Sequence, residues 1–519
     1  MLPDSDSIST YIAYGLGLYL AYLAVIVTYR LTLHPLARVP GPRLAKITYL
    51  YEWYHDLYLL GQFPFKLKGL HQEYGPIVRI TPDEVHIRDP DFTAKLYTRS
   101  NGRVDKPPRA AETFGPFPAA ISTALHDHHR LRRSALNPFF SRKSVGELVP
   151  AMTHAIDILC ERLQKSASAS TAGGGELANL KYVYAAVTSD IIDGYCFARA
   201  PSKILKRDFG KKFFDDIDSF LEVSLLNWHV PTIMRLSFAL PDWVNKLLAP
   251  AMAAMLDFRQ DLGRQIDDIR HGRDKAHEGI GHRTVLHELV GSALPPAELK
   301  TPRLRDEAFS LMVAGSGTTA YTLRATTYHI AANPSIHRKL YNELHSAIPD
   351  LSRPPPPSQL LSTLEELPYL TAVIREGLRL AEPVTHRLPR NFPDKTLTYG
   401  QYTLPPGTVI SMTGTLAHQD PTLFGDPYTF DPERWLGERG KQHEAYLVPF
   451  SKGTRICLGM KLAMAELYLI LGMVFRRFDF DVSRVDRRRD VDVTYSFVLA
   501  AQARTSPGLE VIVRDVASS

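Results

Sequence analysis

The residues with the most chemical content lie near the C-terminus, in Phe450-Ser451-Lys452-Gly453-Thr454-Arg455-Ile456-Cys457-Leu458-Gly459. The order is F-x-x-G-x-R-x-C-x-G, and a helical run from Leu458 to Arg476 follows directly. A cysteine at a helix N-terminus faces backbone N–H groups and the positive end of the helix dipole, which favour its thiolate. Gly453 permits a tight turn, and Gly459 lets a flat ligand lie against the backbone. Arg455 sets a fixed cation two residues from the sulfur, suited to a carboxylate on that ligand. A thiolate held this way is the ligand haem iron uses for oxygen activation, because the sulfur pushes electron density toward the O–O bond. A lone cysteine is more often a buried, inert thiol, but five fixed positions in ten residues outweigh that reading.

Three upstream stretches extend the pattern. Glu376-Gly377-Leu378-Arg379 places an acid and a base on one helix face, where they can pair. Phe430-Asp431-Pro432-Glu433-Arg434-Trp435 adds a further arginine between that pair and Cys457. Ala314-Gly315-Ser316-Gly317-Thr318-Thr319 puts small and hydroxyl residues in the middle of a long helical run.

In this order the motifs resemble those of the cytochrome P-450 family, the membrane-anchored haem-thiolate monooxygenases of the microsomal type. The likeness runs from the proline-rich hinge to the C-terminus. The resemblance implies a mainly α fold with small β-sheets. In it, haem b lies between a long central helix and the cysteine loop with its following helix, and Cys457 is the axial ligand to iron. It implies that Phe450 and Gly459 flank the haem, that His129, Arg133, Arg390 and Arg455 reach its propionates, and that Glu376, Arg379 and Arg434 form a buried network holding the cysteine loop. Thr318 would hydrogen-bond the distal oxygen or a water beside it. This sequence departs from the family at Gly317, where an acid thought to relay protons is usual. Delivery here must then use Thr318, waters, substrate groups or another side chain. The departure keeps open a peroxide-dependent oxygenase, a dehydratase or an isomerase on the same haem. A non-enzymatic haem-binding membrane protein is the other alternative.

By the same resemblance, O2 is activated reductively and one atom enters a hydrophobic substrate. Electrons would come from NADPH through a separate flavoprotein reductase, with cytochrome b5 as a second donor. Arg132, Lys143, Lys452 and Lys461 are basic candidates for that docking face. Phe114, Phe117, Val313, Val384 and Phe497 fall in the family's substrate-facing segments, and their apolar character favours a hydrophobic, low-charge substrate. The wording from Asp105 to Pro108 and from His129 to Ser141 resembles fungal secondary-metabolism members, which suggests a terpenoid or polyketide intermediate.

Other readings fail on spacing. Gly315-x-Gly317-x-x-Ala320 mimics a dinucleotide turn but has no preceding strand and no acid between Tyr321 and Leu340. His277-Glu278-Gly279-Ile280-Gly281-His282 misses the zinc-protease spacing by one residue and reads as a loop. His126-Asp127-His128-His129 fans around a helix and cannot easily converge on one ion.

The elements that must position these residues are legible in outline. Helical runs are expected at Ser144–Lys165, Leu177–Tyr195, Phe213–Leu226, Trp243–Arg270, Leu304–Ala332, Ile336–Ile348 and Pro368–Leu380. A hairpin is expected around Thr81-Pro82-Asp83, with short strands at Thr396–Leu404 and Leu509–Arg514. From Ser7 to Tyr29 no residue is charged, and as a helix that stretch would span roughly 34 Å, enough for a bilayer core of about 30 Å. Acids precede it and Arg30, Arg38, Arg43 and Lys46 follow, which by the positive-inside rule leaves the body cytosolic. The expected organisation is a membrane anchor at 1–30, a proline-rich hinge at 31–48 and a catalytic domain at 49–519, single-pass in the endoplasmic reticulum. Three widely spaced cysteines exclude a disulfide framework, and a net charge of +6 over 519 residues is too small for a nucleic-acid binder.

Overall fold

The computed structural model describes residues 5–98, 102–169, 177–248 and 250–516. Its axis is one 31-residue helix, Thr301–Ala331, opened by Pro302, whose missing N–H costs nothing in a first turn. This central helix is apolar on several faces because helices surround it. It packs against Leu180–Phe197, Pro250–Arg270, Pro368–Ala381 and Met460–Phe475. The main core runs through these contacts and includes Val187, Ile192, Leu304, Phe309, Leu323, Leu370, Val373 and Leu467 through Leu471.

A four-stranded sheet flanks the helices, in the order Ile77–Arg79, Glu84–Ile87, Val409–Ser411, Arg390–Asn391. The first pair is the expected hairpin, with Val78 opposite His86. Glu84–Ile87 then runs parallel to Val409–Ser411, and Arg390 pairs with Ile410 at the far edge. Ala178–Asn179, Glu510–Asp515 and Phe478–Asp481 make a three-stranded sheet, and Tyr495–Phe497 with Leu499–Ala501 makes a hairpin.

Two sequence expectations need correction. The run Trp243–Arg270 is two helices, Asp242–Leu248 and Pro250–Arg270, because proline can open a helix but not continue one. Thr396–Leu404 is not one strand but a hairpin, Leu397–Tyr399 with Tyr402–Leu404, turned at Gly400 with φ +54°.

At the N-terminus Ser5–Thr28 is α-helical, and the span Ser9–Leu33 is long and apolar enough to cross a membrane. The hinge is knitted to the body: Arg79 donates its backbone N–H to Pro40 O at 2.7 Å and its side chain to Arg30 O at 2.8 Å.

Candidate active site

Of the three cysteines, Cys160 and Cys196 are buried in the helical core and Cys457 is exposed. Burial pushes the Cys457 thiol up, while the backbone N–H of Gly459, the Arg133 charge and the N–H of Met460 pull it back down. Cys457 thus combines an accessible side chain with a desolvated thiol. The helix Met460–Phe475 starts immediately after, so its free N–H groups point at the sulfur. The loop is closed by Cys457 N–H donating to Phe450 O at 2.9 Å. Gly453 has φ +79°, and a Cβ there would stand 2.7 Å from the Tyr97 carbonyl carbon, so no other residue fits the turn.

The middle of the central helix is bared on one side. Ala314 and Gly317, about one turn apart, are exposed, while Met312, Ser316, Thr319 and Ala320 around them are buried. The glycines of this stretch differ in role. A Cβ at Gly315 would lie 3.0 Å from Ile192, so Gly315 serves helix packing, whereas a Cβ at Gly317 would meet nothing within 4 Å. Thr318 donates its hydroxyl back to Ala314 O at 3.1 Å, leaving its oxygen able to accept.

Beside the cysteine loop, four chain segments bring cations together. Asp105 bridges to Asn391, which sets Lys106 near Arg390. Asp105 also accepts from the His126 N–H at 2.7 Å, fixing the helix His126–Leu136 that carries His129 and Arg133. Arg455 donates to Thr123 O at 2.8 Å and Ala124 O at 2.6 Å, and its Nε has no partner. Arg133 donates to Ile456 O at 2.9 Å. Burial, with the charges of Arg390 and Arg455, lowers Lys106 to about 7. Burial, then Arg390, lowers Arg455 to about 9, with Asp105 opposing. Burial, then Arg455, Arg133, Lys106 and Arg390, lowers His129 to about 3. A cluster of positive groups that depress one another is a receptor for an anion carrying more than one charge.

The remaining predicted network is fully formed and buried. Arg379 meets Glu376 through two bonds of 2.8 Å, Arg434 reaches Glu376 at 3.0 Å, and the Trp435 indole donates to it at 2.9 Å.

Comparison with known proteins then decides the family. The cytochrome P450 family model matches residues 40–505. The chain is 40% identical to the cytochrome P450 monooxygenase tpcC of Cochliobolus heterostrophus, over 93% of this chain and 90% of that one. It is 36% identical to the N-acetyltryptophan 6-hydroxylase ivoC of Emericella nidulans, over 95% of both chains. It is 35% identical to the conidiogenone synthase PchP450 of Penicillium rubens, over 89% of this chain and 91% of that one. The chain belongs to the cytochrome P450 family.

P450s are haem-thiolate monooxygenases, and this P450 is an oxidoreductase of that kind. The residues present fit the cofactor on two independent counts. One cysteine alone is accessible and met by helix N–H donors, and the cation cluster matches two propionates.

The predicted substrate-facing residues do not form one group. Phe114 and Phe497 share a cluster with Leu225 and Val498. Val384 is adjacent through its bridge to Leu499. Phe117 packs elsewhere, against Phe309 at 5.3 Å with the Arg259 guanidinium over its ring. Val313 lies partly buried against the main core. Of the docking candidates, Arg132 is corrected: it is buried, bound to Glu298 at 2.8 Å and to Thr123 at 2.9 Å, and cannot meet a partner. The His126–His129 run diverges as expected, with His126 accepting from Val104 N–H and His128 paired to Glu298.

Two residues went unnoticed in the sequence. Lys106 had no local signal, because its neighbours come from distant segments. Glu466 had one: it is the only acid in the apolar helix Met460–Phe475. It is 2% exposed, and one carboxyl oxygen has no hydrogen-bond partner. Burial raises it to about 8, and its hydrogen bond with the Thr319 side chain opposes that rise.

Proposed function

We propose that this P450 hydroxylates an uncharged, apolar intermediate of fungal secondary metabolism, with Cys457 as the axial ligand and electrons from an NADPH-dependent flavoprotein reductase. The observation that carries the reading is the Cys457 sulfur, accessible and faced by the Gly459 and Met460 N–H groups. Bound there, haem supplies the activation of O2. The chain's own residues do the rest. Arg390, Arg455, Lys106 and Arg133 orient the carboxylates and offset their charge. Ala314 and Gly317 leave room beside the central helix. Thr318 accepts or donates a proton-carrying hydrogen bond at Oγ1. With no acid at position 317, Glu466 is a candidate proton carrier: burial raises its carboxyl, and it hydrogen-bonds the side chain of Thr319, the residue next to Thr318.

An uncharged substrate is favoured over an amino acid because the guanidinium groups near the distal segments are already neutralised. Arg387 is bound by Glu84 and Glu52, and Arg109 by the same two acids. A substrate carboxylate would find these cations taken. Membrane anchorage through Ser9–Leu33, with the body on the cytosolic face of the endoplasmic reticulum, suits such a substrate, and Leu236, Trp243 and Leu247 add exposed apolar surface.

Spectral titration of the purified holoprotein tests this. Uncharged terpenoid or polyketide probes should shift the Soret band where N-acetyltryptophan does not. Turnover should require NADPH and reductase, and turnover with peroxide alone would favour the peroxygenase alternative.

A further inference from the structure

Arg455 and Lys106 are held by carbonyls from one irregular segment, residues 119–124. Ile121 O accepts from Lys106 Nζ at 2.9 Å, and Thr123 O and Ala124 O each take one Nη group of Arg455. The segment belongs to no helix or strand. Its own backbone bonds are two tight turns, Ser122 N–H to Ala119 O and Thr123 N–H to Ala120 O, each 3.2 Å. Carbonyls on such a strap can fix a cation only if something fixes the strap.

Two anchors do so. The Ala120 N–H donates to both carboxyl oxygens of Glu307 on the central helix, at 3.1 and 3.3 Å. Three residues on, Thr123 Oγ1 accepts from Arg132 at 2.9 Å. Behind the strap the anchors are joined: Glu307 to Arg303 at 2.7 Å, Arg303 to Glu298 at 2.7 Å, and Glu298 to Arg132 at 2.8 Å. All four residues are buried. Burial would raise the Glu298 carboxyl, but bonds from Arg132, His128 and Arg303 hold it down at about 2. Burial raises Glu307, and Arg303 with the Ala120 N–H pull it back. Acids and guanidinium groups this deep are retained only where bonds satisfy them, and here the ring of bonds closes through the strap itself.

We propose that Glu307 is a positioning residue for the cofactor: it seats the strap through Ala120, and the strap's carbonyls aim Arg455 and Lys106 at the haem carboxylates. The role rests on reading those two cations as the propionate site. Arg132, excluded from docking by its burial, is the second anchor of the same device.

The rate at which the purified holoprotein loses haem to a scavenger globin tests this without any substrate. Glu307→Ala should speed loss roughly fivefold or more. Its haem reduction potential should also fall, because carboxylates less offset by cations favour the ferric state. Glu307→Gln keeps an acceptor for the Ala120 N–H and should stay within about twofold of wild type. Arg455→Lys cannot span two carbonyls and should speed loss by itself. Adding Glu307→Ala to it should add less than about twofold, because both changes break one chain of contacts. Thr123→Val removes the other anchor and leaves the charges in place, so it should also speed loss and keeps the test open if Glu307→Ala does not fold. Haem loss unchanged in Glu307→Ala, or in Thr123→Val where the first variant does not fold, overturns the role. So does an effect of Glu307→Ala that multiplies in full with that of Arg455→Lys. Arg455→Lys losing haem as wild type does would instead unseat the propionate reading, and the role of Glu307 with it.

Discussion

The backbone N–H of Val448 donates to Nε2 of His418 across 2.9 Å, and the carbonyl of the same His418 accepts from Arg379 at 2.8 Å. Val448 lies two residues before Phe450, whose carbonyl closes the cysteine loop. The buried Glu376–Arg379–Arg434 network therefore reaches the loop by a continuous path of hydrogen bonds. Removing one partner of a buried ion pair costs about 3–5 kcal/mol, because the other charge is left uncompensated. Glu376→Gln and Arg434→Ala should destabilise the protein by amounts in that range and lower the haem content of purified material. His418→Phe should disturb haem binding more than global stability. Thermal melts beside haem quantitation check both, and normal haem content in all three would contradict the path.

Lys106 gives a pH signature to the haem-free protein. Its folded pKa of about 7 lies below its ordinary value of 10.5, so between those limits the unfolded chain binds more protons. Stability of the apoprotein should rise as pH increases from about 7 to 10.5. Lys106→Met should stabilise the apoprotein near pH 7 and flatten that slope, while speeding haem loss to a scavenger protein. A variant that retains haem as wild type does would remove Lys106 from the propionate site.

Glu466 works in the opposite sense. Its folded pKa of about 8 exceeds the ordinary 4.5, so the folded state holds the extra proton and stability falls as pH rises from about 4.5 to 8. Glu466→Gln should remove that part of the decline in denaturant melts. If the carboxyl also feeds protons toward Thr318, the same variant, like Thr318→Ala, should release more peroxide per NADPH. Unchanged coupling in Glu466→Gln would leave it a structural acid only.

The two glycines of the central helix should respond differently to a side chain. Gly315→Val must displace Ile192 and should cost about 1–3 kcal/mol by overpacking. Gly317→Ala meets open space and should be tolerated for stability. Gly317→Asp, which restores the acid usual in the family, should raise coupling of NADPH to product. Equal destabilisation by the Gly315 and Gly317 variants would show that both face packed protein.

What the sequence made legible follows from how local each signal is. The cysteine loop, the Glu376–Arg379 pair and the central helix are set by neighbours a few residues apart, and the structure places them as expected. Pro250 and Gly400 were also local signals, and a stricter reading of proline at a helix start and of glycine at φ > 0 would have divided both runs. Lys106, His129, Arg390 and Arg455 are different: their mutual depression exists only where four segments meet, held by the Asp105–Asn391 bridge. Arg132 shows the converse. Its charge suggested a docking surface, but Glu298, from a segment 166 residues away, claims it.

The most direct measurement is the reduced, carbon-monoxide-bound absorption spectrum of wild type and Cys457→Ala, prepared side by side. With Cys457 as the axial ligand, wild type shows the thiolate-type Soret band and the variant loses it, while Cys160→Ala and Cys196→Ala keep it. A Cys457→Ala protein that still shows the thiolate-type band would place the iron on another sulfur and contradict the site described here.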